Sequence, residues 1–171
     1  MISGVPFLRA PHLYRTIEDG IANMDLQAID GIPSIEDVMT ASPLFVEIDA
    51  DIRAADDLMQ DHDVRHLPVI EGGVLVGILS DRDIAAVWSV VNADPDKHIE
   101  VRSICSLDVY AVGVEEKLDH VLMEMAERRI GSAVVAKGEK IVGIFTATDA
   151  CRCFGAFLRA HWPEGVGSTR K

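Results

Sequence analysis

Gly77-Ile78-Leu79-Ser80-Asp81-Arg82-Asp83 returns 66 residues later as Gly143-Ile144-Phe145-Thr146-Ala147-Thr148-Asp149. In each copy an apolar run ends in Gly, two apolar residues follow, then a hydroxyl residue, and an Asp three positions on. A single copy reads as the entry to a helix. The hydroxyl is the N-cap, the Asp reaches back to it as a capping box, and the Gly lets the strand exit pack closely. Two copies at one offset, inside stretches that match in every element, mark a repeated module.

The same shift carries Ile35 onto Val101, Val46 onto Val112, Val69 onto Val135, and Gly72 onto Gly138. The first stretch starts as a capped helical turn, with Ser34 as N-cap and Asp37 three residues on. A short strand is expected at Leu44–Ile48 and a helix at 51–61, where Ile52, Ala55, Leu58 and Met59 share a face. A buried strand at Leu67–Ile70 follows, then a Gly72-Gly73 turn that needs positive φ, a returning strand over 74–79 and a helix over 80–91. The second stretch predicts a helical turn, a strand at 109–114, a helix at 118–128, a hairpin of strands at 133–136 and 141–145, and a helix from Ala147 to about His161. The fold class is α/β (α+β). Its expected organisation is an N-terminal helical arm at 1–33, a first unit at 34–92, a linker at 93–98, a second unit at 99–160 and a tail at 161–171. A unit of about 60 residues buries too little surface to stand comfortably alone. The two should pack about a pseudo-twofold axis and leave two related clefts at their seam. In the arm, Leu13, Ile17 and Ile21 recur every four residues over 13–24 and predict an amphipathic helix, either laid on an apolar face of the two units or offered to a partner.

Composition narrows the function. Apolar residues make up 49% of the 171 and aromatic residues only 5%, so an aliphatic core is expected. A net charge of −12 opposes sequence-independent nucleic-acid binding and adhesion to an anionic membrane. Cys105, Cys151 and Cys153 lack disulfide-framework spacing and read as free thiols of a reducing compartment. No apolar run approaches the ~20 residues that span a bilayer. The start lacks a signal-peptide pattern, so a soluble, cytoplasmic protein is expected. No nucleophile–base pattern, metal-ligand spacing or Gly-rich phosphate loop stands out, and no catalytic residue or metal is expected.

The repeated strand–Gly-apolar-apolar-Ser/Thr-x-x-Asp–helix resembles the tandem cystathionine β-synthase (CBS) domain pair, or Bateman module, over about residues 34–157. His66-Leu67-Pro68-Val69-Ile70 before the Gly turn and Met39-Thr40-x-Ser42-Pro43-x-x-Val46 add to the resemblance. It implies a regulatory sensor with no catalysis of its own and no required cofactor, which binds an adenosine nucleotide (AMP, ADP or ATP) and relays occupancy to an effector protein. S-adenosylmethionine, NADH or a cyclic dinucleotide such as cyclic di-AMP are alternative ligands. It also implies a homodimer, expected here through the apolar faces of the helices at 51–61 and 117–128.

Carried onto this chain, the resemblance puts Thr146 and Asp149 on the sugar and its phosphate, with Arg152 one helical turn further on. The base would lie near Thr40, Ser42, Leu44 and Val64, with Arg65 and His66 assisting. The second cleft would use Ser80 and Asp83 with Ser106, Asp108, Tyr110, Ile130, Gly131 and Ser132. It departs from the pattern: Asp108 stands where the first cleft has Ser42, and Ala86 where it has Arg152. The Thr146 cleft is therefore the favoured one. The physics fits a nucleotide, because a helix N-terminus attracts phosphate while a carboxylate suits ribose hydroxyls. Two readings compete. In one, the clefts are degenerate and the motif only caps helices in a structural or dimerisation module. In the other, the arm, with His12 and Tyr14, completes an enzyme.

Overall fold

The computed structural model describes residues 31–90 and 98–162. The expected arm helix, most of the linker and the end of the tail lie outside the described residues. In chain order the elements are α1 (Ile35–Val38), β1 (Thr40–Ala41), β2 (Val46–Glu47), α2 (Ile52–Asp61), β3 (His66–Glu71), β4 (Val74–Ser80) and α3 (Asp81–Val90). A 3-10 turn at Val101–Ser103 follows, then β5 (Ala111–Gly113), α4 (Leu118–Arg128), β6 (Ser132–Lys137), β7 (Lys140–Thr146) and α5 (Ala147–His161). This is the expected mixed α/β architecture. The expected strands at 44–48 and 109–114 shrink to two and three residues, because β2 and β5 each pair along one edge only, in parallel with β3 and β6.

Local chemistry fixes the boundaries. Asp51 caps α2 by accepting the Arg53 amide at 2.8 Å. Ser34 donates its amide and its hydroxyl to Asp37, both at 2.8 Å, as the Ser-x-x-Asp spacing requires. Gly72, Gly73 and Gly138 hold positive φ at the two hairpin turns, where a Cβ would cost strain.

The halves interlock, which the repeat does not state. One sheet runs β2-β3-β4. The other runs β1-β7-β6-β5, so the first-half strand β1 is an edge of the second-half sheet. Thr40 pairs with Ile144, and the reciprocal bridge joins Ser106 to Ile78. The entry segments cross in the same manner. The Ile35 amide donates to Glu116 O at 2.7 Å and, 66 residues on, the Val101 amide donates to Ala50 O at 2.9 Å. Ile35 and Val38 accordingly sit in one core with Val121, Met125, Val135 and Phe145. Val101 sits in the other with Ile52, Met59, Val69 and Leu79. Each buried Ile, Leu or Val contributes about 1.5–3 kcal/mol of hydrophobic stabilisation. The crossing segments are thus held by core burial as well as by backbone hydrogen bonds.

The crossing also explains the glycines of the repeated motif. A Cβ on Gly77 would lie 3.0 Å from Ser106 O and 3.3 Å from Val69 Cβ, and one on Gly143 would fall on the Met39 side chain. Each Gly makes room for the segment that arrives from the other half.

The faces expected to pair two copies are narrowed here. Ile52, Ala55 and Met59 on α2, and Leu118, Val121 and Met125 on α4, are buried in the chain's own two cores. These residues are therefore not available to a second copy, whereas Met123 on α4 stays 61% exposed. Hydrophobic periodicity locates a stripe but does not say which surface covers it.

Candidate functional site: two unequal clefts at the seam

Both motifs fold the same way locally. Ser80 donates its amide at 2.9 Å and its hydroxyl at 2.6 Å to Asp83 Oδ2, while the Asp83 amide donates back to Ser80 Oγ at 3.4 Å. Thr146 and Asp149 repeat this at 2.9, 2.7 and 3.3 Å. Each pair satisfies donors at the start of its helix, α3 or α5, that would otherwise lack partners.

The two carboxylates differ in their second oxygen. Asp149 is 2% exposed, and its Oδ1 accepts from Arg152 Nη1 at 3.1 Å. The arginine assigned to phosphate is thus committed to the aspartate assigned to ribose, and both carboxylate oxygens are engaged. A buried carboxylate needs such a partner. Asp83 has Ala86 at the equivalent position, is only half-buried, and its Oδ1 carries no hydrogen bond among the described residues.

A cavity of about 260 Å³ opens in front of Asp83. Its lining includes all eight residues that the sequence groups in this cleft: Ser80 and Asp83 from the first half, and Ser106, Asp108, Tyr110, Ile130, Gly131 and Ser132 from the second. Five further residues complete it: His66, Ile78, Val109, Arg129 and Val134. Ile78 and Val134 are apolar strand positions that read as core, and their lining role follows only from the crossing, since Ile78 is the bridge partner of Ser106.

Charge at the rim is largely paired. Asp108 Oδ1 accepts from Arg128 Nη2 at 2.6 Å, and the same guanidinium lies 5.3 Å from the centre of the Tyr110 ring. The pair ties the loop before β5 to the end of α4. Burial, with help from Glu124 and Glu116, pushes the Tyr110 hydroxyl above its ordinary range, so the ring stays neutral. Burial lowers the His66 pKa, and Asp81 opposes this in part. His66 packs where Gly131 lacks a side chain: a Cβ there would lie 3.0 Å from the imidazole Nε2.

The residues grouped with Thr146 are less convergent. Thr40 pairs with Ile144 in the sheet, and Ser42, at φ 54°, donates its amide to Val142 O at 2.9 Å. Leu44 and Val64 pack against the first-half core. Arg65 is exposed and lies 4.0 Å from Asp81, while His66 borders the Asp83 cavity instead. The thiol expectations are plainer. All three cysteines are free, and burial pushes the Cys153 thiol up to about 11, which leaves it protonated. Among the described residues, no group of three or more His, Cys, Asp or Glu could hold a metal ion. No helix among them is long and apolar enough to cross a membrane.

Residues 35–89 and 101–155 both match the CBS domain model. The chain belongs to the CBS domain family. It is 30% identical over 116 residues to the CBS domain-containing protein YhcV of Bacillus subtilis, covering 68% of this chain and 81% of that one. It is 29% identical over 126 residues to the L-aspartate semialdehyde sulfurtransferase of Methanocaldococcus jannaschii. That match covers 72% of this chain but spans only 24% of the enzyme. Among solved structures, the CBS domain pair of protein MJ0100, in complex with 5′-methylthioadenosine and S-adenosyl-L-methionine, superimposes with a TM-score of 0.66 at 28% identity. The superposition covers 74% of this chain and 99% of that pair. The matching region thus makes up most of one relative and a minor part of another, which is an enzyme.

Proposed function

We propose that this CBS pair is a regulatory sensor that binds an adenosine-bearing small molecule in the Asp83 cleft and relays its occupancy to an effector protein. The observation that carries the reading is the cavity itself. It joins an aspartate with an open oxygen, a helix N-terminus and an aromatic ring, contributed by both halves. Asp83 Oδ1 suits ribose hydroxyls, Tyr110 and the apolar strand residues suit the base, and Arg129 suits an anionic group such as the phosphate of AMP, ADP or ATP. A ligand there touches both halves at once, so its binding energy biases their relative angle, which an effector can read. The adenosyl ligands in the MJ0100 structure support the class of ligand by similarity.

Isothermal titration calorimetry against adenosine, AMP, ATP and S-adenosylmethionine tests the reading. At least one should bind, and Asp83→Asn should weaken it by about 1–3 kcal/mol, the usual range for a hydrogen bond to a charged group. Absence of heat with all four would defeat the proposal.

A second reading holds for the Thr146 cleft. The observed capping box and the Arg152 contact use every oxygen of Asp149 inside the chain. We propose that this motif acts as a structural cap while Arg152 stays in place.

A further inference from the structure

Arg129 ends α4 in a backbone conformation that arginine does not favour. Its φ of 56° and ψ of 39° are left-handed, at a helix C-terminus where glycine is the usual residue. The hydrogen bonds show why the chain turns this way. The Arg129 amide donates to Ala126 O at 3.3 Å and the Ile130 amide to Met125 O at 3.0 Å, the Schellman closure that leads α4 into β6. The first half closes α2 in the same manner. The Asp63 amide donates to Gln60 O at 3.4 Å and the Val64 amide to Met59 O at 3.0 Å. There the left-handed residue is Asp63, at φ 51°, a residue type that visits this region more readily. Glycine would serve the second turn at least as well, so the turn alone does not account for an arginine.

The Arg129 side chain lines the Asp83 cavity, and no other arginine or lysine does. Its neighbour Arg128 is committed to Asp108 at 2.6 Å, whereas Arg129 makes no ion pair among the described residues. Burial lowers the His66 pKa, so that imidazole adds no charge near pH 7. The lining thus offers one unpaired cation beside two carboxylates, Asp83 and Asp108. Building on the reading of this cleft as an adenosyl site, we propose that Arg129 sets its charge limit: the cleft favours adenosine monophosphate over adenosine and over polyphosphates. One guanidinium matches one phosphate, through charge-assisted hydrogen bonds that adenosine cannot make. A second and a third phosphate would face the two carboxylates with no further unpaired cation to offset them. Space acts in the same direction. At about 260 Å³ the cavity falls just below the usual range for ligand sites, roughly 300–1,000 Å³, and leaves little room for a polyphosphate chain.

Calorimetric titration of the full chain with adenosine, AMP and ATP in metal-free buffer tests this. The wild type should bind AMP at least about tenfold more tightly than adenosine, and ATP more weakly than AMP. Arg129→Gly is the decisive variant, because it removes the side chain and gives the turn its usual residue. It should melt no earlier than the wild type, and its AMP-to-adenosine affinity ratio should fall towards one. Arg129→Gln, which keeps a long uncharged side chain, should lower the ratio as well, whereas Arg129→Lys should hold it above one. An unchanged ratio in Arg129→Gly and Arg129→Gln overturns the inference and leaves the adenosyl reading standing. So does tighter binding of ATP than of AMP by the wild type, or binding of S-adenosylmethionine alone. Absence of binding by all four molecules overturns both.

Discussion

The two clefts come from one repeated motif, yet a single substitution sets them apart. Arg152 closes the second oxygen of Asp149, whereas Ala86 leaves that of Asp83 open. A cation next to a binding carboxylate looks, in a sequence, like added affinity for phosphate. In the folded chain the nearest anion is the carboxylate itself, one helical turn away, and the two neutralise each other. What reads as the richer site is the more self-satisfied one.

Four experiments can break or sharpen the comparison, beginning with the halves that carry the clefts. Phe145 and its first-half counterpart Leu79 are both 0% exposed. Phe145→Ala should cost about 3–5 kcal/mol and Leu79→Ala about 2–5 kcal/mol in chemical denaturation. Because each core holds a segment from the other half, both variants should still unfold in one transition. Two separated transitions would show that the halves are independent and that the clefts can be compared only as separate sites. Next, Asp149→Ala should lower stability by about 1–3 kcal/mol and by more than Asp83→Ala, since Asp149 is the more buried and both of its oxygens are hydrogen-bonded. Equal losses in thermal denaturation would remove the claimed difference between cap and site. Third, Arg152→Ala should free Asp149 Oδ1, so that the calorimetric stoichiometry for adenosine rises from one per chain towards two. An unchanged stoichiometry would mean that something besides Arg152 closes that cleft.

The smallest effect concerns pH. Burial holds His66 below the ordinary 6.5. The folded state then binds fewer protons than the unfolded one as pH falls past that value. The stability contributed by neutral His66 is complete above 6.5 and is lost as pH drops towards its folded value. Between about pH 7 and 5, the wild type should lose more stability than His66→Gln. Parallel slopes for the two proteins would count against a desolvated imidazole at the seam.

Much of this fold is legible in the sequence because it rests on local rules. Ser34, Ser80 and Thr146 with an acid three residues on mark helix starts, paired glycines mark the hairpins, and an offset of 66 aligns the halves. The helices at 118–128 and 147–161 have the expected bounds. Long-range facts are less accessible. Thr40 and Ala41 carry no strand signal of their own, and they become a strand only because β7 offers an edge. Position in the repeat groups His66 with Thr146, but its imidazole fills the space at Gly131 and turns to the other cleft. The apolar residues of α2 and α4 could meet another copy or their own sheet, and periodicity does not distinguish the two.

The crossing of the entry segments has a mechanical consequence. A pair of modules merely laid against each other could be prised apart by a ligand at the joint. Here, separation would first have to peel Thr40–Ser42 away from β7 and Ser106 away from β4, and draw Ile35 and Val101 out of the opposite cores. The joint therefore behaves as a lap splice: stiff against opening, and free only to tilt.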